Sequence, residues 1–122
     1  MFALTSELRF HVYARPTDMR KSFDGLCGII RGGLRKDPVN GCDVYVFINK
    51  ERNKVKLLHW ESGGFVLYYK RLEEGTLDWP FSKEGHTCQA VTYTQMLLLL
   101  EGITIKSFTQ RKRYKKHQEI VA

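Results

Sequence analysis

The segment from Val44 to Gly75, VYVFINKERNKVKLLHWESGGFVLYYKRLEEG, alternates side-chain character over three stretches separated by short polar interruptions. A period of two is the pattern of β-strands, whose successive side chains point to opposite faces. Two tight interruptions between three such stretches predict a three-stranded antiparallel meander. With loops at Lys50 to Asn53 and Ser62 to Gly64, residues equidistant from each loop share a face. One face then collects Val44, Val46, Ile48, Val55, Leu57, His59, Phe65, Leu67 and Tyr69, and it calls for a hydrophobic core. The other collects Tyr45, Phe47, Lys54, Lys56, Leu58, Trp60, Val66, Tyr68 and Lys70. That interleaving of aromatics with lysines suits either half of a second core or a surface that meets a polyanion.

The flanking segments supply fewer signals. Leu8, Phe10, Val12 and Ala14 alternate with Arg9, His11, Tyr13 and Arg15, the pattern of a half-buried strand closed by Pro16. Thr17 and Asp18 are both able N-caps, and a long helix is predicted from there. Met19, Phe23, Leu26, Cys27, Ile30 and Leu34 form its apolar stripe, and Gly32-Gly33 mark its end. Asp37-Pro38 and Asn40-Gly41 mark the turn before the meander. After Gly75, LDWPF reads as an irregular or edge segment because of Pro80, and residues 82–93 are weakly patterned. Thr94 is positioned to cap a short helix through Glu101, with Gly102 following it. Ile103, Ile105 and Phe108 suggest a last short strand. The expected fold is therefore one α+β domain over residues 1–105: an N-terminal strand, one long helix, a three-stranded antiparallel meander and a short C-terminal helix. A basic tail over residues 106–122, flexible by composition, follows it.

Charge narrows the choice of partner. Of 122 residues, 20 are Lys or Arg and 13 Asp or Glu, a formal charge of +7 that favours nucleic acid or another acidic partner. The excess is uneven: residues 43–75 hold six basic residues against five acidic, whereas residues 106–122 hold six against one. Cys27, Cys42 and Cys88 make an odd count with no CxxC pair, which points to reduced thiols and a cytoplasmic setting. The start, MFALTSELRF, lacks the pattern of a signal peptide, and the longest apolar run, Met96 to Leu100, is too short for a membrane span.

Catalytic patterns are lacking. No serine stands in GxSxG, and GLCGIIRGG is not a phosphate-binding loop. His86-x-Cys88 has no second pair to complete a zinc site. His59 falls on the apolar face, where a satisfied core histidine is the simpler reading. Asp18 and Asp24 read as a cap and a solvated face, and Glu73-Glu74 as charge balance for Lys70-Arg71. No catalytic residue, cofactor or metal site is assigned. A small metal-dependent nuclease with scattered carboxylates stays open as a third option.

Three elements suit nucleic acid. The tail residues Arg111, Lys112, Arg113, Lys115 and Lys116 surround Tyr114 and offer sequence-blind, salt-dependent phosphate contacts, although a solubilising tail has the same composition. On the meander, Lys54, Lys56, Lys70 and Arg71 suit the backbone, while Trp60 or Tyr68 suits stacking on unpaired bases. The competing reading buries these aromatics in a core. Arg15, Arg20 and Lys21 stand at the expected helix entrance, where backbone amides add positive potential.

PTDMRKSFDGL, from Pro16 to Leu26, the NK-x-x-N-K-x-K-x-L-x-W block and the GF-x-L-x-Y-KRLE-x-G block carry a resemblance. In order and spacing they resemble the TnpB accessory proteins, from the second reading frame, of IS66-type bacterial insertion sequences. These are unrelated to the RNA-guided nucleases that share the name. The resemblance continues through LLLLEGI and the RKRYKK tail. It implies a non-catalytic helper of transposition, working beside a separate DDE-type transposase and binding element-end DNA, the transposase or both. By motif match it draws attention to Asp18, Arg20, Lys21, Phe23, Asp24, Lys56, Trp60, Phe65, Lys70 and Arg71. The alternative within the same resemblance is an adaptor that docks on the transposase without touching DNA. Neither the residues nor the resemblance fixes an oligomeric state.

Overall fold

The computed structural model describes residues 5–79 and 88–101. Five strands form one sheet: β1 (Arg9–Tyr13), β2 (Asp43–Ile48), β3 (Lys54–Glu61), β4 (Gly64–Arg71) and β5 (Cys88–Val91), in the order β4-β3-β2-β1-β5. β1 and β2 are parallel, and every other pairing is antiparallel. The expected three-stranded meander is thus only part of a larger sheet. β1 needs a crossover to run parallel to β2, and the helical segment between them supplies it. β5, the four residues CQAV, is too short to signal itself by alternation.

That crossover is not the long helix predicted. α1 covers only Phe23–Gly28 and passes into a π-helical turn, Ile29–Gly33, closed by a bond from the Leu34 amide to the Ile29 carbonyl. Consecutive glycines stabilise regular helix poorly, and Arg35 then turns left-handed at φ 55°. The helix starts late because Asp18 caps nothing. Its carboxylate accepts the Arg20 amide at 2.9 Å, and the Thr17 amide donates to the Ile48 carbonyl at 2.8 Å. Local side-chain bonds of this kind compete with helix formation. Leu26, Cys27, Ile30 and Leu34 are buried as the stripe predicts, but Phe23 is 42% exposed and lies off it.

The β2–β3 register matches the predicted faces: Val44 opposes His59, Val46 opposes Leu57, and Phe47 opposes Lys56. The β3–β4 register does not. Its turn has two residues, Ser62 at φ 49° and Gly63 at φ 84°, so Glu61 pairs with Gly64. Two successive positive φ values are what the favoured two-residue hairpin requires. Shortening the loop by one residue flips all of β4. Phe65, Leu67, Tyr69 and Arg71 therefore share a face with Lys54, Lys56, Leu58 and Trp60, while Val66, Tyr68 and Lys70 join Val55, Leu57 and His59.

Both faces of the sheet are covered, which is why all six residues of β2 are buried. On one face Phe10, Val12, Val44, Val46, Ile48, Val55 and Leu57 pack against Met96, Leu99 and Leu100 of α2 (Tyr93–Glu101). Leu72, Leu77 and Trp79 complete that core, so the irregular LDW segment contributes buried side chains. It is tied down by Arg52, which donates from Nε to the Trp79 carbonyl and accepts the Leu77 amide at its own carbonyl. On the other face Tyr45, Phe47 and Leu58 pack against the crossover. α2 begins two residues earlier than predicted: the hydroxyl of Thr92, not Thr94, accepts the Gln95 amide at 3.1 Å, while the Gln95 side-chain oxygen accepts the Thr92 amide at 3.0 Å. This reciprocal arrangement is a capping box. Pro80, His86, Gly102, the expected strand through Phe108 and the basic tail lie outside the described residues. No helix among the described residues is long and apolar enough to cross a membrane.

Candidate nucleic-acid interface

The sheet face under α1 is apolar at its centre and polar at one end. There the 16–20 loop, the β2–β3 loop and the outer ends of β3 and β4 enclose an open cleft of about 530 Å³. Its lining includes Thr17, Arg20, Asn49, Lys50, Lys54 and Tyr69. A smaller hollow of about 330 Å³ shares Lys54 and Tyr69 and continues to Arg71 and Glu73. Arg20, Lys50 and Lys54 thus line the cleft together with Asp18 and Glu51, and Arg71 lines the adjoining hollow with Glu73.

Lys56 builds this groove without lining it. It is only 5% exposed, and its ammonium donates to the Met19 and Lys21 carbonyls, each at 2.7 Å. Nζ also lies 4.7 Å from the centre of the Tyr69 ring. Burial pulls its pKa below the ordinary lysine value, with Asp18 acting in the opposite direction. The ammonium is therefore committed to holding the TDMRK loop and cannot reach a phosphate as the sequence suggested.

On that loop Arg20 is a fixed, outward-pointing fork. Its side chain is 92% exposed, and its Nε and Nη2 meet the Asp18 carboxylate at 2.7–3.1 Å. Bonds from Arg20's side chain and then its backbone amide hold the Asp18 carboxyl down at about 2. Arg71 makes a similar fork with Glu73, at 2.9 and 3.0 Å. Across the cleft, the β2–β3 loop is organised by Asn49. Its Oδ1 accepts the Asn53 and Lys54 amides at 3.0 and 2.9 Å, and its Nδ2 donates to the Asn53 side chain at 2.7 Å.

The other predicted residues divide. Arg15 and Lys21 are exposed, and Lys54 is half-buried in the cleft wall. Trp60 is half-buried edge-on to Phe65, with ring centres 4.9 Å apart, so its indole has a packing partner. Tyr68 lies on the opposite face and packs on the α2 core, which removes it as a stacking surface beside Lys54. Lys70 also points to that side, where its Nζ lies 3.5 Å from the Leu100 carbonyl in the last turn of α2. A cation there complements the helix dipole. Arg111, Lys112, Arg113, Lys115 and Lys116 lie outside the described residues.

Sequence reasoning missed Tyr69, which is 51% exposed beside the cations, as well as Thr17, Lys50 and Asn49. The one available signal was ESGGF, which accommodates a two-residue turn as readily as a three-residue one. Two histidines are structural. His59 Nε2 donates to the Gly41 carbonyl at 2.8 Å, and His11 Nε2 donates to Asp43 at 2.8 Å while its ring stacks on Tyr45. Asp43 also accepts Arg9 Nε at 2.8 Å, joining the starts of the parallel strands. Burial pushes the Asp43 carboxyl up, but the bonds from Arg9 and His11 outweigh it and the net shift is downward. Burial pushes the Tyr45 hydroxyl up to about 12. No group of three or more potential metal ligands occurs among the described residues.

Comparison with known proteins agrees with the motif resemblance. The chain is 33% identical over 78 residues to the uncharacterized protein y4jC of Sinorhizobium fredii, covering 64% of this chain and 66% of that one. It is 31% identical over 87 residues to the uncharacterized protein y4hO of the same organism, covering 71% and 73%. The match thus spans just under two thirds of the first relative's length. No solved structure matches the chain. The family model described as IS66 Orf2 like protein matches residues 8–110, from before β1 to beyond α2, and the chain belongs to that family.

Proposed function

We propose that this chain is a non-catalytic accessory factor of insertion-sequence transposition that contacts DNA through the groove bordered by Arg20, Lys50, Lys54 and Arg71. The carrying observation is that three of these cations, Arg20, Lys50 and Lys54, line one braced cleft beside an exposed aromatic, and Arg71 lines the hollow that adjoins it at Lys54 and Tyr69. Arginine forks and lysines supply phosphate contacts, and each contact releases counterions. Arg15 and Lys21, exposed on the same connection, extend the footprint, and the basic tail adds sequence-blind affinity. The partners are element-end DNA and a separate DDE-type transposase of the same element. The test is binding of the purified chain to labelled element-end duplex over a salt series. Binding that weakens steeply with salt supports the reading, and no binding at low salt removes it.

A second reading, an adaptor docking on the transposase, draws support from Phe23. This side chain is exposed at the start of α1, where the helical stripe would have buried it. Capture of the transposase that is lost on Phe23→Ala, without any DNA binding, would favour the adaptor. Cleavage of labelled DNA with magnesium or manganese, abolished by one carboxylate substitution, would establish an enzyme instead.

A further inference from the structure

Thr17 is packed into the wall of the cleft. It is 4% exposed, its amide is used by Ile48, and its Oγ1 has no hydrogen-bond partner among the described residues. A buried hydroxyl left unpaired is costly, and valine fills the same volume without that cost. Thr17 lines the same cleft as Tyr69, which presents half its surface to solvent while the Lys56 ammonium fixes its ring from one side. The walls are braced independently. Thr17 is tied to the end of β2, Arg20 to Asp18, and the β2–β3 loop to Asn49. The two carboxylates in the lining are engaged, Asp18 by Arg20 and Glu51 by the Asn49 amide at 3.3 Å.

The pieces match one ligand chemistry. A volume of about 530 Å³ falls within the range of small-ligand sites, about 300–1,000 Å³. An open aromatic ring takes a planar base, and the cations Arg20, Lys50 and Lys54 take phosphates. A base inside a duplex has both faces covered by its neighbours, so only an unpaired one can cover Tyr69. We infer that this cleft holds a single unpaired nucleotide of a DNA strand, with its base on Tyr69 and its phosphates on Arg20, Lys50 and Lys54. This rests on the DNA-contact reading and specifies the form of DNA recognised: a locally opened or distorted strand in preference to intact duplex.

The test uses the full chain, an oligothymidylate and a fully paired duplex of equal length, with affinities read by fluorescence anisotropy. Tyr69→Ala weakens single-strand binding about fivefold to a hundredfold, the range for one lost base stack, while Tyr69→Phe stays near wild type. Thr17→Val, which removes only a buried hydroxyl, leaves single-strand binding near wild type. Duplex affinity barely changes in all three variants. The inference is overturned if Tyr69→Ala leaves single-strand binding intact, or if duplex binding falls in parallel. It is also overturned if thymidine monophosphate displaces the oligonucleotide at equal nucleotide concentration, since the site would then serve free nucleotides. Undiminished duplex binding with no effect of Tyr69→Ala removes this inference alone. Failure of the wild-type chain to bind either DNA removes the DNA-contact reading with it.

Discussion

The two faces of the sheet start from similar chemistry and finish differently. Toward α2, aliphatic side chains of β1, β2 and β3 meet a capped helix, and Lys70 closes its C-terminal end. Toward α1, the apolar patch around Tyr45, Phe47 and Leu58 gives way to Lys56, Tyr69 and the cleft. One short helix covers the centre of that second face, leaving the outer ends of β3 and β4 open. The difference teaches that a lysine on a strand has no fixed meaning. Lys70 serves a helix end, Lys56 holds a loop, and Lys54 lines a groove.

The largest effect expected from breaking this contrast lies in the α2-facing core. Leu57→Ala should cost about 2–5 kcal/mol, by loss of buried contacts and the cavity left behind. Tyr69→Ala, on the other face, should cost less than about 0.5 kcal/mol, as surface changes do. Urea denaturation of both variants checks the pair, and comparable losses would break it. Next, Lys56→Met should cost about 1–3 kcal/mol, because two carbonyls lose a charged donor. It should also weaken DNA binding although Lys56 touches no DNA. Lys56→Met that lowers stability but leaves binding unchanged would show that the 16–21 loop is not part of the interface.

Why these roles were only partly legible in the chain follows from the same residues. Alternation carries β1 to β4, since a half-buried strand imposes a period of two on its side chains. It cannot choose between two- and three-residue turns at Ser62-Gly63-Gly64, where the backbone dihedrals decide the face of every β4 residue. Thr17-Asp18 carries the composition of a helix cap, yet Asp18 bonds Arg20 and the helix waits until Phe23. β5 is four residues long, below the length at which a pattern shows. The cleft assembles residues from the 16–20 loop, the β2–β3 loop and β4, and no local spacing announces such convergence.

Asp43 gives a smaller, pH-dependent effect. Its folded-state pKa is below the ordinary 3.8, so its contribution is fully present above that value and is lost as pH falls through the folded pKa. Asp43→Asn should therefore lower stability at neutral pH and flatten the acid limb of the stability curve below about pH 4. Melting curves over an acid pH series measure this, and an unchanged acid limb would show that the strand-joining bonds contribute nothing. Lys70→Ala should also have a small effect, about 0.3–1 kcal/mol from the α2 C-terminus. Its affinity for DNA should match wild type, in contrast to the cations of the cleft.

The most direct test of the account is the salt dependence of duplex binding by the wild-type chain and by an Arg20→Ala, Lys54→Ala, Arg71→Ala triple variant. Each phosphate contact contributes about 0.9 to the slope of log affinity against log salt concentration. The account predicts a slope shallower by about two to three in the triple variant and unchanged in Lys70→Ala. A triple variant with the wild-type slope would contradict the assignment of this groove to DNA.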